Sequence, residues 1–378
     1  MLSGNITLSL MIGPLVPIPA PRVVMEALHE VTVTCSDEGR SGFQLVFALS
    51  TQSPLHTLFL LGSGISAIPV IRVVIVATLN GTPNVIMDGA MTKFDIKPAA
   101  KSAQAVLTVY GEDLSVMMDQ SDWSGLPFPA MPAEGRVALL LAKYAYLGVV
   151  PLVIPSVMVD VPLPTSKVEA QQGTDLAYIK QLAERVGYVF YLDPGPVPGQ
   201  SFGYWGPQIK VGIAQPALSI NMDGHSNVES LSFSFENDKH QLPAYYYYNE
   251  QTKLTLAIPL PPITPLNPPL GLLPPIPTAL TPVADNLAKL PVSQGIMRGL
   301  AAAAKWAEVV TGDGTLDVVR YGRLLKARQL VGVRGAGLAY DGLHYVKSVT
   351  HTIKRGEYKQ SFKLSRNGLI STVPRVAA

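Results

Sequence analysis

Near its end the chain alternates in polarity with a period of two. Tyr358, Gln360, Phe362 and Leu364 share one parity, and Lys359, Ser361, Lys363 and Ser365 share the other. Successive side chains on a strand point to opposite faces, so this predicts a strand with one buried and one wet face. Residues 345–368, "YVKSVTHTIKRGEYKQSFKLSRNG", read as a hairpin of two strands. Arg355-Gly356 is its turn, with glycine free to take a positive φ. Similar runs fill residues 30–81: "EVTVTCSD", "GFQLVFALS" and "IRVVIVATLNG", punctuated by Gly, Asn and Asp. "VIMDGAMTKFDIKPAAKSAQAVLTVYGEDLS" then adds a strand, a turn region and another strand. Apart from a helix near the start, this predicts an antiparallel all-β unit.

The period changes in the middle. Leu176, Ile179, Leu182, Ala183 and Val186 fall at three- and four-residue spacings, one apolar face of a helix over 175–186. Thr174 caps it and Gly187 closes it. A strand, "YVFYLDPG", follows. In "NVESLSFSFENDKHQLPAYYYYNE", Leu231, Phe233 and Phe235 alternate with polar residues. If Tyr245, Tyr246, Tyr247 and Tyr248 lie on a strand, they offer rings on both faces, a partner contact rather than a cofactor platform. Residues 259–282 hold ten prolines among Leu and Ile. Proline removes a backbone donor, which excludes a central strand or a helix and favours polyproline II lying on protein. Ser293 caps a helix through "QGIMRGLAAAAKWAEVV", ended by Gly312, and β structure resumes from Thr315.

Composition narrows the function classes. The formal charge is +2, with no electrostatic case for nucleic-acid binding. Charged residues are 15% of the chain, against about 25% in ordinary domains. The apolar share is 48% before 32 glycines are counted, so an oligomer or large assembly is expected to hide apolar surface. The single cysteine, Cys35, allows no intrachain disulfide or thiolate cluster. The start lacks a basic signal-peptide region. The most membrane-like stretch, residues 55–77, is broken by Pro69 and Arg72, and β-branched neighbours make Arg72 part of a buried strand. No transmembrane helix is expected.

Catalytic signatures are missing from the sequence. HExxH, GxxxxGK[ST] and CxxC do not occur. "GSGIS" at 62–66 lacks the nucleophile-elbow frame, and "RGAGLAYDG" lacks the third dinucleotide-loop glycine. His29, His56, His225, His240, His344 and His351 show no metal-type spacing, and His344 and His351 are expected on opposite faces of one strand. Asp223-Gly224 and Asp313-Gly314 read as turns rather than calcium ligands. No catalytic, metal or cofactor-binding residue is assigned, and no cofactor is expected.

An internal echo organises the rest. Asp88-Gly89 opens "DGAMTKFDIKPAAKSAQAVLTVYG" and Asp341-Gly342 opens "DGLHYVKSVTHTIKRGEYKQSFKLSRNG". Each reads as a DG turn, a strand, a lysine-containing connection, a second strand and a glycine. Three copies of a chain with two such units would present six around an axis.

Together with "TDLAYIKQLAERVGYVFYLDPG", these segments resemble the baseplate hub proteins of contractile phage tails and injection systems. These include the late control protein D family and the hub portion of type VI spike proteins. The resemblance implies a mainly β (α+β) fold: two tube-type antiparallel β-barrel domains, an α/β connecting domain and a Pro-rich, helical insertion, assembled as a pseudo-sixfold trimeric ring. The expected domains are 1–115, first barrel; 116–216, connecting domain; 217–258 with 314–370, second barrel; 259–313, insertion; and 371–378, tail. The implied function is structural and non-enzymatic: adapting a hexameric tail tube to a trimeric spike. Implied partners are two further copies of the chain, the tube protein, a separate spike polypeptide and other baseplate components. Nucleic acid would at most pass through the lumen. Assembly is expected in the cytoplasm, and the product is a virion or injection particle. Lys354, Arg355, Lys359 and Lys363 are expected at a lumen or subunit boundary. A tail-associated cell-wall hydrolase and a membrane-associated β protein are the alternatives.

Overall fold

A computed structural model gives the structure of the chain and describes residues 6–37, 39–49, 70–97, 105–156, 168–221, 226–236, 241–249, 252–260, 268–273, 279–282, 292–373 and 376. The "GSGIS" segment, Asp223-Gly224, His56, His225 and His240 lie outside them.

The first unit comprises β1 (Ile6–Gly13), β2 (Ile18–Pro19), α1 (Arg22–Ala27), β3 (Leu28–Ser36), β4 (Gly42–Leu49), β5 (Arg72–Leu79), β6 (Thr82–Lys97) and β7 (Ala105–Asp113). The turn from β5 to β6 is Asn80-Gly81, both at positive φ, as a tight hairpin requires. Asp88-Gly89 is therefore not the turn expected from the sequence. It lies inside β6, opposite Val74 and Val73. The glycine serves close packing there: a Cβ on Gly89 would sit 2.2 Å from the Glu112 carbonyl oxygen. On β7, a Cβ on Gly111 would sit 2.2 Å from the Phe43 ring.

The connecting region contains β8 (Pro127–Phe128), α2 (Ala133–Ala142), β9 (Val149–Val153), β10 (Glu169–Ala170), α3 (Asp175–Val186), β11 (Val189–Pro194) and β12 (Ser201–Gly206). Helix α3 has the bounds read from the sequence. Thr174 Oγ1 accepts the Ala177 N–H at 3.2 Å, and Gly187 ends the helix in the left-handed region. Its apolar face packs into a separate core with Val137, Leu140, Phe190 and Trp205. Strand β12 pairs antiparallel with β11 and parallel with β9.

The second unit contains β13 (Gln215–Ser219), β14 (Ser230–Phe235), β15 (Gln241–Asn249), β16 (Leu254–Pro259), β17 (Gly271–Leu273), β18 (Ala279–Pro282), α4 (Val292–Trp306), β19 (Val310–Asp317), α5 (Val318–Tyr321), β20 (Leu330–Arg334), β21 (Gly342–Lys354), β22 (Glu357–Arg366) and β23 (Leu369–Ser371). Helix α4 contains Ser293 and stops at Trp306, short of the expected Gly312. Residues 310–317 form β19 instead, placing Asp313-Gly314 inside a strand. Gly312 and Gly314 leave room for the Phe233 and Phe362 rings, which would lie 2.6 and 2.5 Å from a Cβ. The described parts of the proline-rich segment include short strands rather than polyproline II. β18 lies at the edge of the β16-β15-β18 sheet, where prolines interrupt little.

Strand β21 carries another departure. A bulge between Val346 and Ser348 shifts its register against β22. The extra residue reverses parity, so His344 and His351 both turn inward and are 0% and 4% exposed. On β22 the alternation holds for Tyr358, Gln360, Phe362 and Leu364, all buried, but Ser365 at the strand's end is buried too.

The two units share one sheet, in the order β14-β19-β22-β21-β3-β4-β7-β6-β5-β1-β2, with β20 joining β13 to β21. β21 pairs with β3 from Ser348↔Ser36 to Lys354↔Glu30. The fold is mainly β with large antiparallel sheets. No closed barrel occurs among the described residues; the outer edge of β3 in the first unit is taken up by β21 of the second. One apolar core, from Ile6 to Leu364, runs beneath both units.

Candidate functional site

From β19 through β22 and β21 to β3 and β4 the shared sheet buries one face and presents the other, and the presented face is rich in hydroxyls, whereas β5 is buried on both faces. In register, one row across the join is Ser230, Thr315, Ser361, Thr350 and Thr34. Its hydroxyls pair across strands: Ser230 with Thr315 at 2.8 Å, and Thr34 with Thr350 at 3.1 Å. Ser234 and Thr311 pair at 2.6 Å nearby. The next row holds Asp317, Lys359, Thr352, Thr32, Gln44 and Tyr110. β-Branched threonine suits the strand, while its hydroxyl keeps the face wet.

The charges on this face are largely balanced. Lys359 Nζ lies 3.1 Å from Glu229 and 3.0 Å from Glu357, and these partners raise its pKa. Lys354 lies 3.6 Å from Glu30, and Lys363 stands opposite Asp313. Arg355, in the β21–β22 turn, donates to the Glu26 carbonyl of α1, tying the two units together. The hairpin face is thus hydroxylic with paired charges rather than simply basic. Tyr245, Tyr246, Tyr247 and Tyr248 lie on a different sheet, on β15 paired with β16. Tyr246 is 40% exposed, and the other three side chains lie outside the described residues.

Buried polar clamps hold the face in place, and sequence reading missed most of them. Arg328 donates to the Ser36 carbonyl at 2.6 Å and to Asp193 Oδ1 at 2.7 Å, with its guanidinium 3.9 Å from the Tyr191 ring centroid. One side chain therefore joins the first unit, the connecting region and the second unit. Its backbone sits at positive φ, which costs a non-glycine residue about 1 kcal/mol. Arg328→Ala is expected to lower unfolding stability by about 2–3 kcal/mol, read as a shift in urea midpoint. Glu308, just after α4, is gripped by Lys210 and by Lys347 at 3.1 Å. Burial alone would raise its pKa, but the two ammonium groups outweigh burial and hold it low. Arg366 is buried and donates to the carbonyls of Ala339, Tyr340, Asp341 and Gly368. Burial lowers its pKa to about 10.

The remaining candidates for chemistry are occupied structurally. Burial pushes the Cys35 thiol up to about 11, so it is protonated and unreactive at neutral pH. Asp113, raised by burial, accepts the Ser41 N–H at 2.8 Å and the Ser115 N–H at 3.0 Å. No cluster of three His, Cys, Asp or Glu suited to a metal ion occurs among the described residues. No described helix is long and apolar enough to cross a membrane.

No family model matches the chain, and no curated protein matches it in sequence. Its structural neighbours are phage tail proteins and VgrG-related proteins. The tail protein from Neisseria meningitidis MC58 aligns with a TM-score of 0.62 over 97% of this chain and 98% of that one, at 15% identity. The 43 kDa tail protein of prophage MuSo2 from Shewanella oneidensis aligns at 0.59 over 95% and 98%, at 12% identity. A chain of the Francisella PdpA-VgrG complex aligns at 0.62 over 99% of this chain and 60% of that one, at 8% identity. At such identities the likeness is one of fold.

Proposed function

We propose that the chain is a structural baseplate hub of a phage-tail-like contractile injection system, forming a trimeric ring that adapts a hexameric tube to a trimeric spike. The observation that carries this is the single sheet crossing two β units side by side, with a hydroxylic face spanning the join between them. Three copies would set six such units around an axis and turn that face toward a lumen. Paired charges and hydroxyls would let cargo pass without a strong electrostatic trap. Lys354, Arg355, Lys359 and Lys363 then belong to the lumen wall or a neighbouring subunit's boundary, and the tyrosines of β15 to a partner contact. The two tube-type units carry the ring, the connecting region braces them, and the proline-rich insertion meets another baseplate component. The tail-protein fold supports this reading. The particle, phage or injection device, would be assembled in the cytoplasm, with the tube and a separate spike as partners. The role is non-enzymatic.

Light scattering is expected to give a species near three times 40.4 kDa. Negative-stain images of the same peak should show rings with a central hole. A chain that stays single both alone and with the spike encoded beside it rules the hub reading out.

A further inference from the structure

A groove of about 520 Å³ opens between the β5–β6 turn of the first unit and the segment following α5 in the second. Asn80 and Thr82 line one wall, and Ile213, Arg323, Lys326 and Gln329 the other. Among the described residues no carboxylate lines it, and Arg323 and Lys326 are its charged groups. Ile213 stands at the groove 98% exposed, with almost its whole side chain in water. Together these features suit an occupant that brings carboxylates and an apolar anchor.

The chain itself displays such a segment. Every residue of 121–127 is exposed, and the turn carries Asp122, Trp123 and Leu126. Trp123 is 50% exposed yet held firmly in position. Its backbone N–H donates to the Gly173 carbonyl at 3.2 Å, and the Gly173 N–H donates to Ser124 Oγ at 2.8 Å. Asp122 Oδ1 accepts the Ser124 N–H at 2.8 Å, and Lys143 Nζ lies 5.2 Å from the Trp123 ring centroid. A turn whose backbone is fixed before binding loses little freedom on docking, and tryptophan is enriched among interface anchors.

We infer that the groove receives the 121–127 turn of a second copy of this chain, with Trp123 packing beside Ile213 and Asp122 facing Arg323 and Lys326. This rests on the ring reading above and supplies its subunit contact. The patch and the groove are different surfaces, so the contact is head-to-tail, the kind that closes a ring when the rotation allows.

Sedimentation velocity over a concentration series tests it with three samples: the natural chain, Trp123→Ala, and Arg323→Glu/Lys326→Glu. Circular dichroism melts confirm that both variants fold. Each variant alone should need at least ~30-fold more protein to assemble than the natural chain, the loss expected of an interface anchor. Mixed together, the variants keep one intact contact, the tryptophan of one meeting the groove of the other. The mixture should therefore stop at a pair of twice 40.4 kDa. Variants that form trimers as the natural chain does would overturn this contact while leaving the ring intact. A mixture that stays monomeric would overturn it as well. A natural chain that never associates would remove both the contact and the ring.

Discussion

Replacing Asp88 with alanine is expected to cost ~3–5 kcal/mol of stability, because it strands a buried guanidinium. Arg72 and Asp88 side chains are 4% and 0% exposed. They meet in a fork, Nε to Oδ1 at 2.8 Å and Nη2 to Oδ2 at 2.7 Å. Ser201 donates to the same carboxylate at 3.2 Å, and Arg72 reaches the Gly199 carbonyl at 2.9 Å. The pair thus sits where β5 and β6 meet β12. Without Asp88, the arginine keeps, among the described residues, carbonyl partners at Gly199 and Leu15, too little to offset desolvation of a full charge. The double variant Arg72→Met/Asp88→Leu removes both charges and should recover most of the loss. Urea midpoints of the single and double variants check this. A single variant no less stable than the double would show that the charge is not stranded, and the argument would fail.

That site also shows how far the sequence could be read. Arg72 stands in an unbroken β-branched run, which already marks it as buried and in need of a partner. The partner was in plain view, but Asp88-Gly89 has the composition of a turn. Asn80-Gly81 is an equally good turn eight residues earlier, and local composition cannot choose between them. Close packing does: Gly89 is needed because the Glu112 carbonyl passes where a Cβ would lie. Helix α3 was legible to the residue, since its cap, apolar stripe and closing glycine are all local signals. The end of α4 was not, because Gly312 serves the Phe233 ring, a contact visible only once β14 and β19 pair.

The candidate site divides along the same line. The alternation on β22 announced a wet face, but its neutral, hydroxylic character arises only when β21 pairs with β3 and brings Thr350 beside Thr34. The Arg328 clamp left no trace in the sequence. Its partners Ser36, Tyr191 and Asp193 lie more than a hundred residues away, and "LLKARQL" resembles any surface loop. Residues that hold one part of this chain against another are therefore its least legible features.

The bulge in β21 leads to the largest expected effect, a steep loss of stability in mild acid. By turning both histidines inward it places two imidazoles in the core. Burial lowers His351 to about 4. Its Nδ1 lies 2.8 Å from the Tyr358 hydroxyl and 3.4 Å from Gln360 Nε2, both able to donate, so Nδ1 is the acceptor. Burial, reinforced by the positive charge of Arg366, lowers His344 to about 3. Its Nε2 has no hydrogen-bond partner among the described residues, and the imidazole and Phe233 ring centroids lie 5.2 Å apart. In the unfolded chain both titrate near 6.5. Between pH 6.5 and about 4 the unfolded state therefore binds up to two more protons than the folded one. Stability is fully present above 6.5 and falls as pH drops, at ~2.7 kcal/mol per unit for the pair. By about pH 4.5 roughly 5 kcal/mol should be gone, a large share of a folded domain's margin. Near 4 His351 protonates in the folded state and the slope halves, persisting for His344 to about 3. Urea midpoints taken from neutral pH down to about 4.5 give the natural chain's slope, and His351→Gln should cut that slope by half. A natural chain equally stable at both ends of the range would mean that the two imidazoles are not held neutral in the core.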